Sequence, residues 1–254
     1  MASGFQPHEA LPAEPTFDRF VTSVGGVRVA SLVGQNPKFL NADYFFRAAS
    51  VLVELKTIEE DFPRLPEYQE KLSKLRADQV RRGLATWGGL VRMESPSPEA
   101  TNEIVRLYRP RLNRMLDKAN GQIKGTRAAL CAPDAAGLVI VANDQLTSLE
   151  PVFVIHLLAN ILLSRFSAID GFVYVTLNQY VDIPGSDLAH LLWVPLYSER
   201  VADTLVAFVD ELGRSWFRFL ENEIGPCQGR IESPDRDILV GSKMVRQPPK
   251  GDAG

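Results

Sequence analysis

Cysteine is almost missing from this chain: two residues in 254, Cys131 and Cys227, with no C-x-x-C spacing. That leaves no disulfide framework and no structural zinc motif, and it fits a reducing compartment. Histidine is nearly as scarce. His8, His156 and His190 are scattered without metal-ligand spacing, and His156 lies in an apolar helical run that suits a satisfied core residue. Neither G-x-G-x-x-G nor G-x-x-x-x-G-K-[ST] occurs, so dinucleotide and P-loop chemistry lack their anchor. No G-x-S-x-G elbow is present to expose a nucleophilic serine. The most apolar stretch, 151–163, carries His156 and Asn160 and falls short of the ~20 residues that a membrane helix needs. It is expected to be a buried helix. The first residues, Met-Ala-Ser-Gly-Phe-Gln-Pro-His-Glu, show neither the basic start nor the apolar centre of a secretory signal. A cytoplasmic protein without membrane contact is the expectation.

What is present is an ordinary globular composition. Hydrophobic residues make up 45% and charged residues 23%, enough apolar surface for one large domain or two small ones. The net charge of −3 is unevenly spread. Between Arg64 and Arg127 there are 14 basic and 7 acidic residues, so this segment carries +7 and the remainder −10. A basic face in an acidic protein is what a polyanion-binding surface needs, although long solvated Arg-rich helices give the same count.

The pattern of elements reads as α/β. A short helix is expected over 15–24 from the spacing of Phe17, Phe20 and Val21, and strands over 27–33, 43–46 and 51–57. Lys71 to Arg82 is helical in composition. Gly83 to Pro98, with Gly88-Gly89 and two prolines, reads as a break, so about 62–100 is an insertion. A long helix follows over 101–130, in which Pro110 is expected to start a new helix or to kink this one. Then come a strand buried on both faces at 137–142, a helix at 152–165, strands at 171–177 and 190–197, and an amphipathic closing helix at 201–223. The expected fold is a mixed central β-sheet flanked by helices, one domain over 14–224. Residues 1–13 and 226–254 are expected to be loose tails, the second with room for a short strand at 238–240.

Chemistry concentrates in Val51-Leu52-Val53-Glu54-Leu55-Lys56. A strand has period two, so Glu54 and Lys56 point to one face and Leu55 to the other. If the two strands pair through the 47–50 turn, Asp43 approaches Glu54. Two converging carboxylates form a hard-oxygen site suited to Mg²⁺ or Mn²⁺. Lys56 beside that ion could orient an attacking water or stabilise charge in a phosphoryl transition state, a combination suited to phosphodiester hydrolysis. With 16 Glu and 8 Lys in the chain, Glu-x-Lys alone is expected by chance about 0.5 times. The competing use is a solvent-facing Glu/Lys pair on an edge strand, worth little energetically. Position argues for chemistry, because the pair closes an apolar β-run that favours neutral residues. Asp144, after the 137–142 strand, sits where α/β proteins often bind ligands, but Asn143-Asp144 also reads as a turn or helix cap.

Asn41-Ala42-Asp43, ten residues, then Glu54-Leu55-Lys56 resembles the signature of the PD-(D/E)XK, or restriction-endonuclease-like, nuclease superfamily. The order of elements over about 15–143 is similar to that family's core, with the insertion placed before the second core helix. Ala42 stands where the motif has proline. The resemblance implies a metal-dependent nuclease in which Asp43, Glu54 and the Leu55 carbonyl bind the metal and Lys56 acts on water. It implies a supporting polar group from the following helix, Gln122 or Lys124, and a further acid from the first helix, Glu14 or Asp18. Arg81, Arg82, Arg111, Arg114, Lys118 and Lys124 are then the candidates for holding a nucleic-acid backbone, DNA before RNA, and the chain could work as a homodimer. Host defence is the role that family analogy suggests. The alternative is a nucleic-acid-binding or scaffold protein that keeps the fold without the activity.

Overall fold

The computed structural model describes residues 8–34, 39–91 and 97–246; Arg92 and Glu94 of the basic stretch and the extremities of both tails lie outside the described residues. A six-stranded mixed sheet runs through the centre, in the order β1 (Val27–Arg28), β2 (Tyr44–Phe46), β3 (Val51–Ile58), β4 (Ala136–Asn143), β5 (Gly171–Thr176) and β8 (Trp193–Tyr197). The pairs β3–β4 and β4–β5 are parallel, and the flanking pairs are antiparallel. The parallel neighbours need long crossovers, and helices supply them: α5 (Pro98–Ala129) links β3 to β4, and α6 (Pro151–Arg165) links β4 to β5. The fold is thus α/β with helices on both faces of a mixed sheet.

Alternation along each strand divides the core in two. Leu52, Val139, Val141, Phe172 and Tyr174 face α5 and α6, where Leu112, Leu116, Ile123, Leu158 and Ile161 meet them. Val53, Leu138, Ile140, Val173 and Val175 face the opposite layer, made of α1 (Ala13–Ser23) and α7 (Asp203–Ile224). Because both faces are covered, β4 reads as a continuous apolar run rather than an alternating one. The apolar stretch at 151–163 is α6 itself, and among the described residues no helix is long and apolar enough to cross a membrane. Trp216 of α7, wholly buried, stacks on Phe17 of α1 with ring centroids 4.5 Å apart and meets Phe20 edge-on.

Several elements differ from the expectation. Residues 27–33 form a two-residue strand followed by α2 (Val29–Val33). Val29 and Val33 both reach the core; four residues apart, they share a face in a strand as well as in a helix, but one helical turn brings them side by side whereas a strand would set them ~13 Å apart. Residues 190–197 divide between two sheets: β7 (Ala189–His190) joins β6 (Gln179–Asp182) and β9 (Lys243–Arg246) in a separate three-stranded sheet, while β8 edges the main one. The expected strand at 238–240 is a 3₁₀ turn at Asp237–Leu239, and the strand comes later, where β9 pairs with β6. The 237–246 part of the expected loose tail is therefore tied to the body, with Leu239 and Ser242 buried, while 226–236 is exposed and without regular structure. In the insertion, α3 (Pro66–Arg81) starts earlier than its polar composition suggests, and a short α4 (Trp87–Val91) occupies the Gly-rich break. Helix α5 runs on through Pro110, so no new helix starts there. An interior proline costs ~3 kcal/mol, which burial of Tyr108, Leu112 and Leu116 around it offsets.

The Trp216 contact is the main tie between α7 and α1. Trp216→Ala is expected to lower unfolding free energy by about 3–5 kcal/mol, measured by urea titration. A loss below ~1 kcal/mol would show that the second layer does not depend on this side chain.

Candidate active site

The site arises where β3 outlasts its neighbour. All eight residues of β3 pair with β4, but β2 covers only Val51 to Val53. Beyond Val53, one edge of β3 is open. Extending the β2–β3 register by one residue sets Asp43 opposite Glu54, and period two puts both on the sheet face shared by Phe45 and Leu52. The Asp43 carboxylate takes over where backbone pairing stops: the Leu55 N–H donates to Asp43 Oδ2 at 2.8 Å. In a strand, the N–H and C=O of one residue leave on the same edge, so the Leu55 carbonyl also leaves on the Asp43 side.

Glu54 is 1% exposed and Lys56 14%, which rules out the surface-pair alternative. Lys56 Nζ donates to Glu54 Oε1 and, at 2.9 Å, to Gln122 Oε1. Gln122 in turn donates from Nε2 to the Asn41 carbonyl at 2.9 Å, so its amide is held from both ends. The second Glu54 oxygen, Oε2, is buried and has no hydrogen-bond partner. A carboxylate oxygen in that state is costly unless a cation or a proton meets it. Burial pushes the Glu54 carboxyl up to about 8, and the Asp43 charge adds to the rise against the opposing Lys56 ammonium. Burial also raises Asp43, moderated first by the Leu55 N–H and then by Lys56.

These groups line a cleft of about 750 Å³ at the ends of β3 and β4. Its charge is lopsided. Glu14, Glu59, Glu60, Asp61 and Asp144 join Asp43 and Glu54, against Lys56, Arg64 and Lys118. Seven carboxylates against three cations repel a bare polyanion and attract cations. The donor set fits a hard divalent ion: two carboxylates, one with a bare buried oxygen, beside a backbone carbonyl. Among the described residues no three His, Cys, Asp or Glu side chains gather as a metal cage. Mg²⁺ commonly makes do with one or two carboxylates plus water and substrate phosphate.

The remaining candidates separate cleanly. Of the two first-helix acids, Glu14 lines the cleft, whereas Asp18 is engaged by Arg28 at 2.9 Å and by the Tyr44 hydroxyl at 2.9 Å. Of the two α5 candidates, Gln122 reaches Lys56 and Lys124 lies on the exposed side of the helix, outside the cleft. Arg81 and Arg82 are occupied by Asp78, with Glu99 and Glu103 also on Arg82, and stand apart from the cleft. Arg111, Arg114 and Lys118 follow one another at three- and four-residue steps on α5, a basic row that continues to Gln122. Within it Arg111 pairs with Glu60 at 2.6 Å. Asp144 accepts a hydrogen bond from Asn178 at 2.7 Å, and Asn143 closes the turn by accepting from the Leu146 N–H at 2.9 Å, so the turn and the cleft wall are one feature. Sequence reasoning passed over Glu59-Glu60-Asp61, Arg64 and Thr126. The three consecutive acids just past Lys56 were a visible signal; Thr126 left none.

No family model, curated protein or solved structure matches this chain. The site therefore stands on its own geometry.

Because Glu54 holds its proton in the fold to about 8 but releases it near the ordinary 4.5 when unfolded, its contribution to stability is complete below 4.5. That contribution is lost as pH rises through about 8. In metal-free protein, Glu54→Gln is expected to remove a slope of up to ~1.4 kcal/mol per pH unit in that window. Urea unfolding at a series of pH values measures it; equal slopes in the two proteins would contradict a proton on Glu54.

Proposed function

We propose that this chain is a divalent-metal-dependent nuclease with a restriction-endonuclease-like core, hydrolysing phosphodiester bonds in nucleic acid, with DNA as the expected polymer. The observation that carries this reading is the bare, buried Oε2 of Glu54, set across from Asp43 and beside Lys56 at the open edge of β3. The element order also supports it: a helix, a β1–β2–β3 antiparallel run, a long helix, then a parallel β4.

Asp43, Glu54 and the Leu55 carbonyl would hold Mg²⁺ or Mn²⁺. Bound there, the ion supplies positive charge to the scissile phosphate and lowers the cost of activating water. Glu54, raised to about 8 by burial, would have to release its proton to serve as a ligand, which would make binding stronger as pH rises. Lys56 is fixed between Glu54 and Gln122, with one ammonium proton left to direct at a water or at a phosphate oxygen. Gln122 carries no charge of its own to the reaction; it holds the ammonium in place from the side of α5. The row of Arg114 and Lys118 provides phosphate contacts on the approach to the cleft. The acidity of the inner cleft makes substrate binding depend on the metal, since without it the phosphate meets uncompensated carboxylates.

The test is cleavage of mixed DNA and RNA substrates by purified protein with Mg²⁺ or Mn²⁺. Lys56→Ala is expected to abolish cutting while binding survives. Binding without cutting by the unmutated protein would favour a scaffold that keeps the fold; neither binding nor cutting would end the nucleic-acid reading. Replacing both Arg114 and Lys118 by Ala is expected to weaken binding evenly across sequences. The slope of log K against log salt should fall by about 2, near one for each phosphate that is no longer neutralised. An unchanged slope would place the polymer elsewhere.

A further inference from the structure

Asp43 is positioned by very little of the sheet. Strand β2 begins at Tyr44; Asp43 keeps one backbone tie on the β1 side, its carbonyl accepting from the Val29 N–H at 2.8 Å, and the residues before it lie beyond the ladder. Those preceding residues, 39–42, meet α5 through three residues on one helical face. Gln122 Nε2 donates to the Asn41 carbonyl at 2.9 Å. One turn on, Thr126 Oγ1 accepts from the Ala42 N–H at 2.7 Å, while its own proton goes to the Gln122 carbonyl at 2.9 Å. Both Ala42 and Thr126 are fully buried, so water cannot replace that bond. Between them, Gly125 lets the segment lie close: a Cβ there would stand 2.6 Å from the Leu40 carbonyl oxygen and 3.3 Å from the Phe39 ring.

We infer that Thr126 is a positioning residue for the metal-binding carboxylate, setting where Asp43 stands through its hydrogen bond to the Ala42 N–H. This rests on the nuclease reading for its purpose, but not for its geometry. It also gives a physical account of the residue before Asp43. A proline there fixes its own φ and has no N–H to offer; alanine is free in φ but brings a donor, and the buried hydroxyl of Thr126 uses that donor to restore the constraint. The fixed end of this chain of contacts is α5, and its free end is the Asp43 carboxylate that caps the Leu55 N–H.

The experiment uses the full chain and two readouts, amide hydrogen exchange at Ala42 and Leu55 and Mn²⁺ affinity by calorimetry, with the Val173 amide as a reference in the core. In Thr126→Val, both Ala42 and Leu55 are expected to lose protection while Val173 keeps it. Mn²⁺ affinity is expected to drop by ~10–100-fold, the range for removing a group that orients a ligand. Thr126→Ser, which keeps the hydroxyl, should restore both. Gly125→Ala favours the helix yet pushes the 39–42 segment away, so it should reproduce the Thr126→Val losses and serves if that variant does not fold. Wild-type protection at Leu55 in either Thr126→Val or Gly125→Ala overturns the inference. If the unmutated protein neither binds Mn²⁺ nor cuts nucleic acid, the nuclease reading fails, and Leu55 exchange still decides whether Thr126 sets Asp43.

Discussion

The burial of Glu54 is the constraint around which the site is organised. A carboxylate that is 1% exposed in the middle of an α/β core is expensive, and every neighbour can be understood by what it does about that cost. Lys56 supplies the opposite charge to one oxygen. Gln122 holds Lys56 so that it stays there. The other oxygen is left bare, and Asp43 across the strand gap makes matters worse rather than better. Natural cores seldom keep two coupled carboxylates for stability, since apolar residues of similar volume would serve at least as well. The arrangement makes sense as a place for a cation.

The fold creates this place by a mismatch of strand lengths. Strand β3 has eight residues and β2 has three, so beyond Val53 one edge of β3 has no strand beside it, and Glu54 to Thr57 line the cleft. The parallel partner β4 on the other edge keeps β3 straight and buried. Helix α5 then lies across the gap and contributes on successive turns Lys118 at the rim, Gln122 to Lys56, and Thr126 to the segment that carries Asp43. Its length explains why it tolerates Pro110: the proline falls in the half that packs on the 62–91 insertion, away from the turns that build the site. Charge is likewise divided along the helix. Basic residues lie on its outer stretch, while acids ring the inner cleft, so the electrostatics favour positive charge at the centre and negative charge at the approach.

Much of this was legible beforehand for a simple reason. Period-two alternation puts Glu54 and Lys56 on one face whatever the tertiary structure, and an apolar run like 137–142 has few other uses than a strand covered on both sides. The elements that were misjudged are those where local pattern is ambiguous. Val27 to Val33 alternates, but Val29 and Val33, four apart, share a face in a strand and in a helix alike, so the local pattern does not choose the helix that forms over 29–33. After His190 the run to 197 is almost wholly apolar, and nothing in it reveals that Leu191 and Leu192 lead from one sheet to another. Strand β9 is short and mostly exposed, so it exists because β6 offers an edge to it, not because of its own composition.

The sequence by itself determined the chemistry on offer: a carboxylate and an ammonium two residues apart at the end of an apolar strand, a second carboxylate at hairpin distance, and no clustered cysteines or histidines and no phosphate-binding glycine motif to support another chemistry. Those facts depend only on residue identity and on the geometry of an extended chain. Tertiary structure decided the rest. It chose Gln122 over Lys124 and Glu14 over Asp18, because helix phase and burial, not composition, settle which side chain reaches a cleft. It tied Arg82 to its own acids and left Arg114 and Lys118 along the approach. Above all it buried Glu54 and set Thr126 beneath Ala42, since both depend on residues more than sixty positions away being brought within hydrogen-bonding reach.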